Sequence, residues 1–271
     1  MPSLPEHIAA VIASEARLWF PGLATELAAR FADAADRRWV ENDYGTARWL
    51  AADPAAAREV VAAVRLGGVS AIIERLDPRT QRRFGGLPFI EPTPAAKAPL
   101  EAATTLLARI PGLDDLLIPL VRTIHILSAD PGYDISHSDP DLPFSIFVSL
   151  PEPSAADGVA RLAESVLHEA LHLQLTLIEA HGPLVAEPQR ESYSPWKMQP
   201  RPFGGLLHGL YVFGGISQAL ADLAPQSAML SAYAARRRRE IAGEVRALGA
   251  CPEGLTANGR RLWARAVAAT A

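Results

Sequence analysis

The sequence predicts a mainly helical α+β protein with a small antiparallel β hairpin or sheet. Three observations predict it. The first part of the chain is rich in Ala, Arg, Leu and Glu in a helical pattern. Two short segments, Val121–Leu127 and Phe144–Leu150, alternate apolar and polar residues as strands do. A long amphipathic stretch then opens near Ser154, and a Gly-rich one follows after Pro202.

Composition narrows the function classes. At 271 residues the chain can bury a substantial core, in one large or two small domains. Hydrophobic residues at 49% and charged ones at 21% are ordinary for a soluble globular protein. A net charge of −4 leaves no electrostatic footprint for nucleic acid. Cys251 is the only cysteine, so no intrachain disulfide can form and a reducing compartment is the simplest setting. The start, Met1 to His7, lacks the basic and apolar regions of a secretory signal. No apolar run is long enough to span a bilayer, so a cytoplasmic protein without a membrane partner is expected.

In order, the pattern from Pro5 to about Leu76 reads as helical, punctuated at Pro21-Gly22, Asn42 to Gly45 and Gly67-Gly68. Pro54 suits the first turn of a further helix. Trp19, Phe20, Phe31, Trp39 and Trp49 read as core anchors. Residues 84–98, dense in Gly and Pro, mark a linker or surface crossing. They divide a helical N-terminal region, 1–98, from a metal-binding catalytic region, 99–271. Short helices follow, from Pro99 to Arg109 and near Asp114. The two strands come next, joined through the turn-forming stretch Ser128–Pro143, which predicts a hairpin or meander. His125 reads as a packed strand residue and His137 as a polar loop residue facing substrate.

The next helix carries the chemistry. Ser154 is placed to cap it, with Asp157 at the capping-box position. Val159, Leu162, Val166, Leu173 and Leu177 form an apolar stripe, and Leu167, Leu171 and Leu175 extend it on the flanks. His168-Glu169-Ala170-Leu171-His172 is a His-Glu-x-x-His motif. Residues four apart share a helix face, so His168 and His172 can grip one ion. Glu169 stands about 100° round, able to touch a metal-bound water or a ligand. On a helix buried elsewhere, two histidines need polar or metal partners. The helix ends at His181-Gly182-Pro183, where His181 is a helix-end residue.

A third ligand must come from elsewhere. One zinc-protease subclass adds Gly and His three and six residues after the second His; Leu175 and Ile178 stand there and exclude it. Glu179 lies about 10 Å along the axis from His172, too far to ligate. His208 ranks first, because Gly205 and Gly209 beside it would let its helix approach the metal helix closely. Glu191 ranks second, and Glu187 is a further candidate. Glu169 is the general base if the metal is zinc in a peptidase. Three histidines can equally present a facial set to Fe(II). The run Arg236 to Arg239 reads as a solvated helix end, with docking of an acidic peptide segment as the other reading.

Three segments together resemble the HExxH-type peptide modification proteins, 2-oxoglutarate- and Fe(II)-dependent peptide β-hydroxylases that tailor ribosomally made peptides. They are Glu164 to His172, Tyr193-Ser-Pro-Trp-Lys197, and Arg201-Pro-Phe-Gly-Gly-Leu-Leu-His-Gly-Leu-Tyr-Val-Phe213. The likeness runs from about Thr123 to Gln218. It implies Fe(II) held by His168, His172 and His208, with 2-oxoglutarate chelating through its keto-acid end. Arg201 and Lys197 would receive the distal carboxylate, Arg offering the better fork. Trp196 would wall the pocket. Glu169 would orient a ligand or water rather than take a proton. The implied partner is a precursor peptide, met by the Ser128–Pro143 loop and the N-terminal half. A zinc metallopeptidase with Glu169 as base is the alternative reading. A third is a non-catalytic peptide binder with a structural metal.

Overall fold

The computed structural model describes residues 3–38, 59–76, 78–140, 142 and 144–271. Trp39, Trp49, the Asn42 to Gly45 turn and the helix start at Pro54 lie outside the described residues. Helices dominate and two small sheets accompany them, the α+β fold that the sequence predicts. The chain forms two compact units, residues 1–23 with 174–271, and residues 24–173. Residues 84–98 lie wholly inside the second unit. Among the described residues no helix is long and apolar enough to cross a membrane.

The second unit is built on a five-stranded sheet in the order β1-β2-β3-β5-β4. Its strands are β1 (Glu59–Leu66), β2 (Val69–Arg75), β3 (Thr123–Leu127), β4 (Ser136–His137) and β5 (Ser145–Ser149). Two expectations are corrected here. Residues 59–75 are not helical: β1 and β2 form an antiparallel hairpin in which Leu66 pairs with Val69. Gly67-Gly68 is its two-residue turn, with Gly67 at φ 52° where a side chain would be strained. β3 and β5 do not form a hairpin: they run parallel, His125 opposite Phe147. The stretch between them is long enough to cross over, and it places β4 antiparallel on the outer side of β5. The sheet is therefore mixed: β1–β2 and β4–β5 pair antiparallel, whereas β2–β3 and β3–β5 pair parallel.

Around this sheet stand α2 (Pro21–Arg38, mostly in this unit), α3 (Pro78–Arg83), α4 (Lys97–Leu107) and α5 (Leu113–Leu120). The Gly/Pro-rich segment is mostly exposed, as a surface crossing should be, and touches the core through Phe84, Leu87 and Phe89. Phe89 bridges to Leu127, and Ser128 N donates to Pro88 O at 2.8 Å. Leu76, Phe84, Leu127, Leu142 and Phe147 pack as one cluster with Leu87, Phe89 and Ile135 against it. Apolar burial of this kind contributes about 25 cal/mol per Å². Phe144 holds φ 60°, unusual for an aromatic residue, while fully buried with its ring edge-on to Phe31 at 5.6 Å.

The helix α6 (Gly158–Glu179) runs from the second unit into the first. It begins three residues later than a cap at Ser154 would set it. Residues 152–157 make tight turns instead, and Asp157 O accepts from Arg161 N. Gly158 fits because a Cβ there would stand 3.0 Å from Pro151. Leu162, Val166, Leu173 and Leu177 are buried as the stripe predicts, and so are Leu167, Leu171 and Leu175. Val159, at 39% exposed, is the exception at the helix start.

The first unit holds α1 (Leu4–Ser14), the hairpin β6 (Glu191–Ser194) and β7 (Gln199–Pro202), and the helices α7 (Phe203–Leu223), α8 (Ala228–Ala247) and α9 (Ala257–Ala269). α7 packs on α8 and α9, and α1 on α9. The irregular stretch 15–20 becomes buried at Leu18–Phe20, so the backbone polar groups there need side-chain partners. Gln174 supplies two of them: Oε1 accepts Phe20 N at 2.8 Å and Nε2 donates to Leu18 O at 3.2 Å. Gln174 Nε2 also donates to the Tyr211 hydroxyl, which donates to Leu18 O. Gln218 accepts Leu18 N at 2.9 Å, and Arg265 donates to Ile12 O and Arg17 O. Trp19 and Phe20 are buried here as anchors. The arginine run is mid-helix in α8, not at a helix end. Arg237 pairs with Glu240 at 3.2 Å, and Arg238 donates to Ser217 of α7 at 3.3 Å.

Removing the buried hydroxyl with Tyr211→Phe is expected to cost about 1–3 kcal/mol of stability in urea unfolding. Burial raises the Tyr211 phenol above its ordinary value of about 10. Above about pH 10 the unfolded chain releases that proton while the folded chain keeps it, so stability falls as pH rises. Tyr211→Phe should flatten this alkaline loss; an unchanged profile would contradict the assignment.

Candidate metal centre

His168, Glu169 and His172 share the middle of α6. The two imidazoles meet edge-on, with centroids 4.8 Å apart and Nε2 atoms 3.2 Å apart. Nitrogens at that separation, each about 2.0–2.1 Å from one ion, would subtend about 100° at it. That angle suits an edge of a tetrahedral zinc site and an edge of an octahedral iron site alike. The pair therefore fits a metal.

Glu169 is 2% exposed, and a carboxylate so placed needs donors. Ser136 of β4 provides one, its hydroxyl 2.6 Å from Glu169 Oε1. The same oxygen is 3.9 Å from His168 Nε2. Ser136 was not singled out in the sequence. It stands 33 residues from Glu169 on a two-residue edge strand, and nothing in local spacing signals the contact. The strand is pinned to α6 a second time, by the bidentate pair of Asp134 with Arg161 at 2.7 and 2.9 Å.

The other candidate residues lie as follows. His125 is a buried strand residue, its ring stacked on Phe147 at 4.8 Å. His137 stands in β4 rather than in a loop, its ring against Phe84 and Phe147 and 3.7 Å from Asp139. His208, on α7, belongs to the first unit, whereas His168 and His172 belong to the second. Its Nε2 is 2.8 Å from Glu179 Oε2. Thus Glu179, excluded as a ligand by distance along the helix, is a partner of His208. Glu187 pairs with Arg190 at 3.2 Å, and Glu191 is exposed in β6. Among the described residues, no group of three or more His, Cys, Asp or Glu is gathered that could hold a metal ion.

The glycines around His208 stand against the β6–β7 hairpin. Gly209 makes room for a side chain of that hairpin, whereas at Gly205 a Cβ would make only ordinary contact. A Cβ on Gly209 would sit 2.9 Å from the Trp196 ring, and one on Gly205 would sit 3.6 Å from Arg201 Nε. Trp196 lies over Gly209 and stacks on Phe213 at 5.3 Å, so it packs the hairpin onto α7. Lys197 is exposed at the hairpin turn, next to Met198 at φ 52°. Arg201 is exposed in β7.

Compared with known proteins, the chain matches no family model and no curated protein.

Either His168→Ala or His172→Ala should weaken Zn(II) binding by more than about 100-fold in competition with a chromophoric chelator. Equal affinity in wild type and both variants would show that the pair is not the metal edge.

Proposed function

We propose that the chain is an Fe(II)- and 2-oxoglutarate-dependent dioxygenase that hydroxylates the β-carbon of a residue in a ribosomally made precursor peptide. The observation that carries the metal part is the His168–His172 pair, converging on one helix face beside the buried Glu169. The choice of iron rests on the resemblance, through Tyr193–Lys197 and Arg201–Phe213, and so does His208 as third ligand.

His168, His172 and His208 would hold the iron. With 2-oxoglutarate and O₂ it supplies oxidation of an unactivated C–H bond, with succinate and CO₂ as co-products. The chain's own residues do the positioning. Arg201 is the preferred partner for the distal carboxylate of 2-oxoglutarate, since its planar fork matches a carboxylate bidentately; Lys197 is the second cation. This chemistry requires no general base. Glu169, buried and held by a hydroxyl donor, orients its neighbours instead.

One observation favours a second reading. The His pair accommodates a tetrahedral ion, and Glu169 Oε1 stands 3.9 Å from His168 Nε2. A zinc metallopeptidase with Glu169 as general base would use the same three residues.

Anaerobic addition of Fe(II) and 2-oxoglutarate separates the two. The hydroxylase reading predicts a weak visible charge-transfer band, lost in His208→Ala and kept in Glu191→Ala. No band and no succinate with any peptide, while zinc-loaded protein cleaves peptides, would establish the peptidase. Loss in Glu191→Ala alone would move the third ligand to that residue. Peptide binding without either reaction points to a binding protein.

A further inference from the structure

We infer that Ser136 is a positioning residue of the metal centre, acting through Glu169; this rests on the reading of His168 and His172 as a metal edge. The hydroxyl reaches Glu169 Oε1 at 2.6 Å, within the short range of an O–H donor on a carboxylate. Glu169 is otherwise enclosed, so the direction of its carboxylate is set by what donates to it. The oxygen that Ser136 holds is the one near His168 Nε2.

The strand is built to deliver that hydroxyl at a fixed place. Ile135 O accepts Ser149 N at 2.8 Å, and Ile135 N donates to Ser149 Oγ at 2.9 Å, which sets the register of β4 on β5. Asp134 grips Arg161, seven residues before His168 on α6. Side chains two apart on a strand share a face, so Asp134 and Ser136 both meet α6 while His137 turns to Phe84 and Phe147. The chain entering β4 is thus tied at three successive positions, Ile135 to β5 and the outer two, Asp134 and Ser136, to the metal helix. Groups that orient a ligand's neighbours in this way commonly set metal affinity as strongly as 10–100-fold.

The test uses Co(II), whose visible bands report binding whether the native ion is iron or zinc. Ser136→Ala should weaken Co(II) binding about 10-fold, with the thermal midpoint of the metal-free protein shifted by only a few degrees. Ser136→Thr, which keeps the hydroxyl, should restore affinity to within about 2-fold of wild type. On a Glu169→Gln background the Ser136 substitution should add less than about 2-fold, because both act through one contact. Should Ser136→Ala not fold, Ser136→Cys carries the same comparison, its thiol being a weak donor. Wild-type affinity in the Ala or Cys variant, or a full second loss on top of Glu169→Gln, overturns the role of Ser136 and leaves the metal edge standing. Absence of Co(II) bands in the wild-type protein removes both.

Discussion

A helix buried on most sides can carry polar side chains only where each meets a partner, and this constraint on α6 governs the molecule. Five positions along the helix meet it in four ways. His168 and His172 face one another at 3.2 Å. Glu169 takes the Ser136 hydroxyl. Gln174 is fully buried and satisfies the backbone of the 15–20 stretch. Glu179 meets His208. Replacing a buried partner by an apolar residue removes a hydrogen bond from the group that it served, at a cost of about 1–3 kcal/mol for a neutral group.

The constraint explains features that otherwise look unrelated. In the second unit, the short edge strand β4 is where the chain must return to supply a donor for Glu169, and the parallel pairing of β3 with β5 leaves that edge to it. In the first unit, Tyr211 and Gln174 complete the hydrogen bonding of a segment that has no regular partner. Tyr211 keeps its proton for the same reason: the surroundings offer a neutral hydroxyl two partners and a phenolate little solvation.

Much of α6 was legible in the sequence, because its motif and apolar stripe obey one period; only its start shifted, where Gly158 and Pro151 set a turn that propensity does not encode. β3 and β5 were legible as strands, but their direction was not, since pairing depends on where β4 goes. The β1–β2 hairpin was misread, although its signal was present. Val60-Val61 and Ile72-Ile73 are β-branched runs on either side of the two-residue turn Gly67-Gly68, and the Ala and Arg residues between them mimic a helix. At the site, the pair His168 and His172 follows from spacing alone. Ser136 and the role of Gly209 do not, because both depend on residues distant in sequence that only the fold brings into contact.

The central claim is that His168 and His172 together bind a metal through their Nε2 atoms. X-ray absorption at the metal edge of the Fe(II)-loaded protein tests it most directly. The account predicts imidazole scattering from at least two histidines, reduced by one in His172→Ala. A first shell of oxygen alone, or one unchanged by that substitution, would contradict it.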